Sequence, residues 1–143
     1  MKKIFLFFII AAALALTLTA CAPSKPADLV GTTWKMTAQG ELTNQTPAIA
    51  GIETSLTFTK DGKLSGNMGC NSMGGEYSIS GQTITFNNVY ATEMACPDPQ
   101  MEQEGEAFVV LQGNTTYKID GGTLTITSTD GNDTLTFTAA ASK

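Results

Sequence analysis

Ser55-Leu56-Thr57-Phe58-Thr59-Lys60-Asp61-Gly62-Lys63-Leu64-Ser65-Gly66-Asn67 spells a strand, a turn and a second strand. Leu56 and Phe58 alternate with Thr57 and Thr59, the period of two expected of a half-buried strand. Asp61-Gly62 then supplies a hairpin turn into Lys63 to Asn67. The same grammar runs outward along the chain. Tyr77 and Ile79 alternate before Ser80-Gly81, and Ile84 and Phe86 resume after it. Tyr117 and Ile119 lead into Asp120-Gly121-Gly122, followed by Leu124 and Ile126. Asp130-Gly131 turns the chain again before Leu135 and Phe137. Upstream, Thr32 to Thr37 carries Trp34 and Met36 on one face of a further strand, and residues 40–52 read as a longer irregular connection. Threonine fills the intervening positions, as on the solvated face of an antiparallel sheet. The repeat Leu-Thr-Phe-Thr at 56–59 and 135–138 follows from strand chemistry and needs no internal duplication.

One segment departs from this rhythm. Asp98 is placed to cap a helix whose first residue is Pro99, with Glu102 and Glu104 near its positive end. Met101, Gly105, Phe108 and Leu111 fall near one face at helical spacing, and Gly113 stands where the helix should stop. Strands, one helix, then more strands predict an α+β domain. Its small antiparallel sheet meanders and curls so that the helix closes one side or end.

The N-terminus carries an address. Lys2 and Lys3 form a positive n-region, Ile4 to Leu16 an almost unbroken apolar run, and Leu18-Thr19-Ala20-Cys21 reads as a lipobox. Cys21 is then the lipidation site, because thioether formation with diacylglycerol requires a thiol there. The alternatives are an ordinary secretory leader ending at Ala20 or an uncleaved anchor. Against the anchor, the run is short for a span and ends in a small-residue cleavage pattern. The predicted organisation is a signal peptide at 1–20, a lipidated tether at 21–27, one domain at 28–138 and a tail at 139–143. Removing residues 1–20 from the 143 leaves 123, enough for a single core. Expected localisation is the cell envelope, extracytoplasmic and lipid-anchored through Cys21, in the outer membrane if the host is Gram-negative, since Ala22 follows the lipid cysteine.

Charge excludes a class of partner. Of 8 basic residues, two lie in the leader, leaving six lysines against 13 acids, and the chain has no Arg and no His. Nucleic-acid surfaces depend on clustered Arg and Lys, so no nucleic-acid binding is expected. The lack of His also removes the usual base for a Ser or Cys nucleophile. Glu102, Glu104 and Glu106 read as a solvated helix face, and Asp61, Asp120 and Asp130 each precede a turn glycine. No catalytic residue, cofactor or enzymatic activity is expected.

Cys70 and Cys96 are the cysteines left once Cys21 is acylated. In an exported domain such a pair is most simply a disulfide, worth roughly 3 kcal/mol in the chain-entropy treatment. Two buried thiols that never meet are the alternative. A more remote one is a Cu(I) site, because Met68-Gly69-Cys70 and Met94-Ala95-Cys96 each set a thioether two residues before a thiol, with Met73 nearby.

The run Gly66-Asn67-Met68-Gly69-Cys70-Asn71-Ser72-Met73-Gly74-Gly75-Glu76-Tyr77 resembles the Gly-Cys-Asn signature of the META domain, the HslJ-like lipoprotein family. Leu29 to Lys35 resembles the family's opening strand, and Thr92-Glu93-Met94-Ala95-Cys96-Pro97 its Thr-x-Met-Ala-Cys-Pro element. Met101 to Leu111 resembles its Glu-containing helix, and Leu124 to Phe137 its closing hairpin. The resemblance implies a cracked-barrel-like sheet interrupted by a helix. It further implies a non-catalytic envelope lipoprotein linked to heat shock and drug tolerance, acting on an envelope protein or an apolar ligand. A pilotin-like accessory role for a secretion component is the alternative it carries. The candidate binding seam lies between sheet and helix, with Met101, Phe108, Val109 and Leu111 on the helix side and Trp34, Phe58 and Phe86 from the strands.

Overall fold

A computed structural model describes residues 27–141 of the chain. The predicted leader, the predicted lipobox with Cys21, most of the predicted tether and the last two residues lie outside them. Strands β1 (Thr33–Glu41), β2 (Asn44–Pro47), β3 (Ser55–Phe58), β4 (Lys63–Asn67), β5 (Ser72–Ser80) and β6 (Thr83–Ala91) precede helix α1 (Asp98–Val110). Strands β7 (Gly113–Asp120), β8 (Thr123–Thr127) and β9 (Asp133–Ala139) follow it.

All the strands join one antiparallel sheet, and the expected curl is carried to closure. Neighbours pair in sequence order from β3 to β9, and β9 then pairs with β1 from Trp34↔Ala139 to Glu41↔Asp133. The opposite edge of β1 is divided. Thr33 and Trp34 pair with β3, whereas Ala38 to Glu41 pair with β2. Eight strands therefore form a closed ring, with β2 as a short hairpin arm outside it. Residues 40–52 are in part regular, against the expectation of an irregular connection. Leu42 and Thr43 make a two-residue turn, and polar Asn44-Gln45-Thr46-Pro47 gives β2 no apolar alternation to announce it.

The inward positions are those marked by alternation. Trp34, Leu56, Phe58, Ile84, Leu124, Ile126, Leu135 and Phe137 are all fully buried. The Trp34 indole N–H donates to the Leu29 carbonyl at 3.1 Å, which satisfies its one polar atom. Phe58 meets Tyr77 edge to face at 4.9 Å between ring centroids.

The helix lies across the barrel with a different face inward from the one its apolar spacing suggests. Gln103, Glu104, Ala107 and Val110 are buried, and Leu111 just beyond them is too. Met101 and Gly105 are exposed, and Phe108 is half-buried. Asp98 sits inside the first turn, after Pro97, and its side chain makes no capping hydrogen bond. It retains the favourable place of an acid near a helix N-terminus.

Candidate functional site

The buried polar face of α1 ties down two loops. Glu104, read from sequence as part of a solvated face, is buried. Its carboxylate accepts the Cys70 N–H at 3.2 Å, the Asn71 N–H at 2.5 Å and the Asn71 side-chain amide at 2.7 Å. Asn71 in turn accepts the Met94 N–H at 2.7 Å and the Thr92 hydroxyl at 2.8 Å, so one side chain joins the loop before β5 to the loop before α1. Gln103 accepts the Ile49 N–H at 2.8 Å and donates to the Met68 carbonyl at 2.7 Å. Gly69 has φ +140°, which favours glycine, and a Cβ there would lie 2.8 Å from the Gln103 amide nitrogen and push that side chain off its bonds. The disulfide Cys70–Cys96 joins the same two loops. The Gly-Cys-Asn run is thus the receptor for the helix's polar face.

The disulfide also removes the soft-metal alternative. It takes both sulfurs out of the thiolate form that Cu(I) binding needs. Met68 is fully buried while Met94 is more than half exposed, so the thioethers are not presented together.

The predicted seam residues separate into two groups. Trp34, Phe58, Phe86 and Leu111 are buried in the barrel core. Phe108 packs partly on that core, while Met101 and Val109 are 41% and 58% exposed. Phe108 and Val109 stand over clefts on opposite flanks of α1. On the Phe108 flank, β6 parts from β7 after the pair Phe86↔Gly113. A hollow of about 370 Å³ opens there between Phe86, Val89, Phe108 and Gln112, beside Asn88 at φ +49°.

The Val109 flank faces β1, β2 and β9. A cleft of about 350 Å³ is lined there by Glu41, Asn44, Glu106, Val109 and Asp133. Toward the helix N-terminus a further hollow of about 260 Å³ shares Thr46 and Glu106 with it and is lined by Gln39, Pro47, Ile49 and Glu102. Gln39 is 5% exposed. Its amide nitrogen donates to the Glu106 carboxylate at 2.5 Å, and its carbonyl oxygen has no hydrogen-bond partner among the described residues. Gln39, Glu41 and Asp133 escape the sequence reading, while Glu106 is exposed as its reading as part of a solvated helix face implies. A register shift between Met36 and Ala38 moves the inward phase of β1 onto Gln39, and only a break in alternation marks it.

The turn acids do what their Asp-Gly context predicts. Asp130 accepts from the Ser128 hydroxyl at 2.6 Å and from the Asn132 N–H and side chain. These bonds, that from Ser128 foremost, hold its carboxyl below the ordinary value. Burial, with the nearby Asp61 charge, pushes the Tyr77 phenol up.

Comparison with known proteins gives a consistent placement. The fold is similar to the NMR structure of a protein from Burkholderia xenovorans, with a TM-score of 0.66 and 22% identity over 88% of this chain and 97% of that one. A second NMR structure matches with a TM-score of 0.61 and 20% identity over 78% and 91% of the two chains. The crystal structure of a duf4847 family protein from Bacteroides vulgatus matches with a TM-score of 0.58 and 14% identity over 80% and 96%. No curated protein matches the chain. The META domain family model matches residues 27–142 of the 143. The chain belongs to the META domain family.

Proposed function

We propose that this protein is a non-catalytic, envelope-anchored lipoprotein that supports stress or drug tolerance by binding a ligand or envelope protein in the clefts beside α1. The observation that carries this reading is the pairing of a closed barrel with open clefts on both flanks of the one helix among the described residues. The lipobox ending at Cys21 supplies the anchor and the location. The Val109-side cleft lies at the Glu41 end of β1, and the chain enters the barrel at the Thr33 end. A pilotin-like escort of a secretion component is the second reading, favoured by the exposed apolar side chains of Met101 and Val109 on the helix.

Complementation of a deletion strain under heat and antibiotic stress tests the proposal. Val109→Lys should fold with an unchanged melting temperature, since the side chain is exposed, yet fail to restore tolerance. Full rescue by Val109→Lys would remove the cleft from the function, and a deletion without phenotype would remove the tolerance role.

A further inference from the structure

We infer that the Val109-side cleft is a binding site for a linear aliphatic amine carrying two or more ammonium groups. This deepens the binding reading above and rests on it. Glu41 and Asp133 both line the cleft and stand directly opposite one another in the β1–β9 ladder. Like charges at facing positions destabilise a sheet, so the pair favours any ligand that brings positive charge between them. Glu106 lines the same cleft and continues into the hollow with Glu102. The ion pairs seen among the described residues, Lys35–Glu53 and Lys118–Asp120, engage none of these acids.

The second observation is independent of charge. The Gln39 side chain is almost wholly buried in the wall of the hollow, and its carbonyl oxygen is unpartnered among the described residues. A buried acceptor without a donor is unfavourable, and an ammonium N–H that reaches it through the wall of the hollow would supply that donor. The amide cannot simply rotate to relieve this, because its nitrogen donates to the Glu106 carboxylate and rotation would set oxygen against oxygen.

Shape selects the class of cation. Among the described residues no three acids or cysteines converge closely enough to hold a metal ion. The acceptors are instead spread along the cleft, from the Glu41–Asp133 end past Glu106 to Gln39, with Val109, Pro47 and Ile49 between and beside them. Separated ammonium groups joined by methylenes match acids separated by aliphatic wall.

Isothermal titration calorimetry of the full chain in a neutral detergent, with spermidine as the probe, tests the assignment. Saturable binding at one site is expected, weakened at least tenfold by Glu106→Gln and by Asp133→Asn. Asp61→Asn, on a distant turn, should leave it unchanged. Melting temperatures of the two cleft variants should stay near wild type, and either variant alone suffices if the other unfolds. Absence of saturable heat, equal affinity in the cleft variants, or equal competition by magnesium at matched charge would overturn the inference. Tighter binding of an oligolysine peptide than of spermidine would also overturn it, in favour of a basic protein segment. The Val109→Lys complementation reads separately. If it fails to rescue while spermidine does not bind, the amine assignment falls and the binding role stands.

Discussion

Glu104 and Glu106 stand two residues apart on α1 and live in opposite circumstances. Glu104 is buried, with three N–H groups of the Cys70-Asn71 loop converging on its carboxylate. Glu106 reaches open space beside Val109 and shares its one described hydrogen bond with Gln39. The helix thus has a locked side, where the Glu104 carboxylate and both ends of the Gln103 amide are bonded, and an open side, where the buried Gln39 oxygen is not; Gln100 on the helix carries the other unpartnered buried oxygen among the described residues. The contrast separates residues that hold the fold from residues free to meet a partner. Composition treats the two glutamates alike.

The largest test of this contrast is Glu104→Ala. It leaves three N–H groups without their acceptor in a buried place, so a loss of about 3 kcal/mol or more is expected in urea denaturation. Glu102→Ala, on the exposed side, should stay within about 0.5 kcal/mol. Equal effects of the two would erase the distinction.

Reduction of Cys70–Cys96 comes next. The bridged cysteines are 26 residues apart, which corresponds to roughly 3 kcal/mol of loop-closure entropy in the unfolded chain. Because the disulfide and Glu104 hold the same loop, reduction and Glu104→Ala should be clearly non-additive in a double-perturbation cycle. Strict additivity would mean that the loop is held by two unrelated devices.

The smallest effect belongs to the surface turn at Asp130, which is fully solvated but hydrogen-bonded. Its carboxyl is held below the ordinary value of 3.8, so its contribution is complete above that pH. The contribution is lost as the pH falls through the lowered folded-state value. A slight acid-side loss of stability should be present in wild type and missing from Asp130→Asn when denaturation midpoints are compared across this range. An identical acid profile in both proteins would count against the turn.

Much of the barrel was legible because its strands alternate. Leu56, Phe58, Leu124, Ile126, Leu135 and Phe137 are inward in the sequence pattern and inward in the structure. The turn glycines behave likewise, as at Gly62 with φ +78°. The cysteine pairing followed from chemistry and compartment, not geometry, and the structure joins the pair. The helix was legible as a helix but not in its orientation. Met101 and Phe108 carry the apolar signal, whereas the inward face begins with Gln103 and Glu104, whose partners are backbone groups about 35 residues upstream in the loop after β4. Polar burial of that kind leaves no periodic trace. The cleft was missed for a related reason, since β2 is short and polar and the bulge in β1 hides the inward turn of Gln39.

The first strand has a consequence for how the chain folds. β1 shares one edge between β2 and β3, which arrive soon after it, but its other edge waits for the last strand. Ala139, opposite Trp34, is among the last residues of the sheet to emerge. Until then β1 presents unpaired N–H and C=O groups along its length, an invitation to pair with the wrong neighbour. Closure must also bring together residues from the two ends of the domain before any contact between them offsets the lost chain entropy, which places such a barrel among slower folders. A chain clipped before β9 would not be a slightly shorter barrel. It would be an open sheet with a permanently sticky edge.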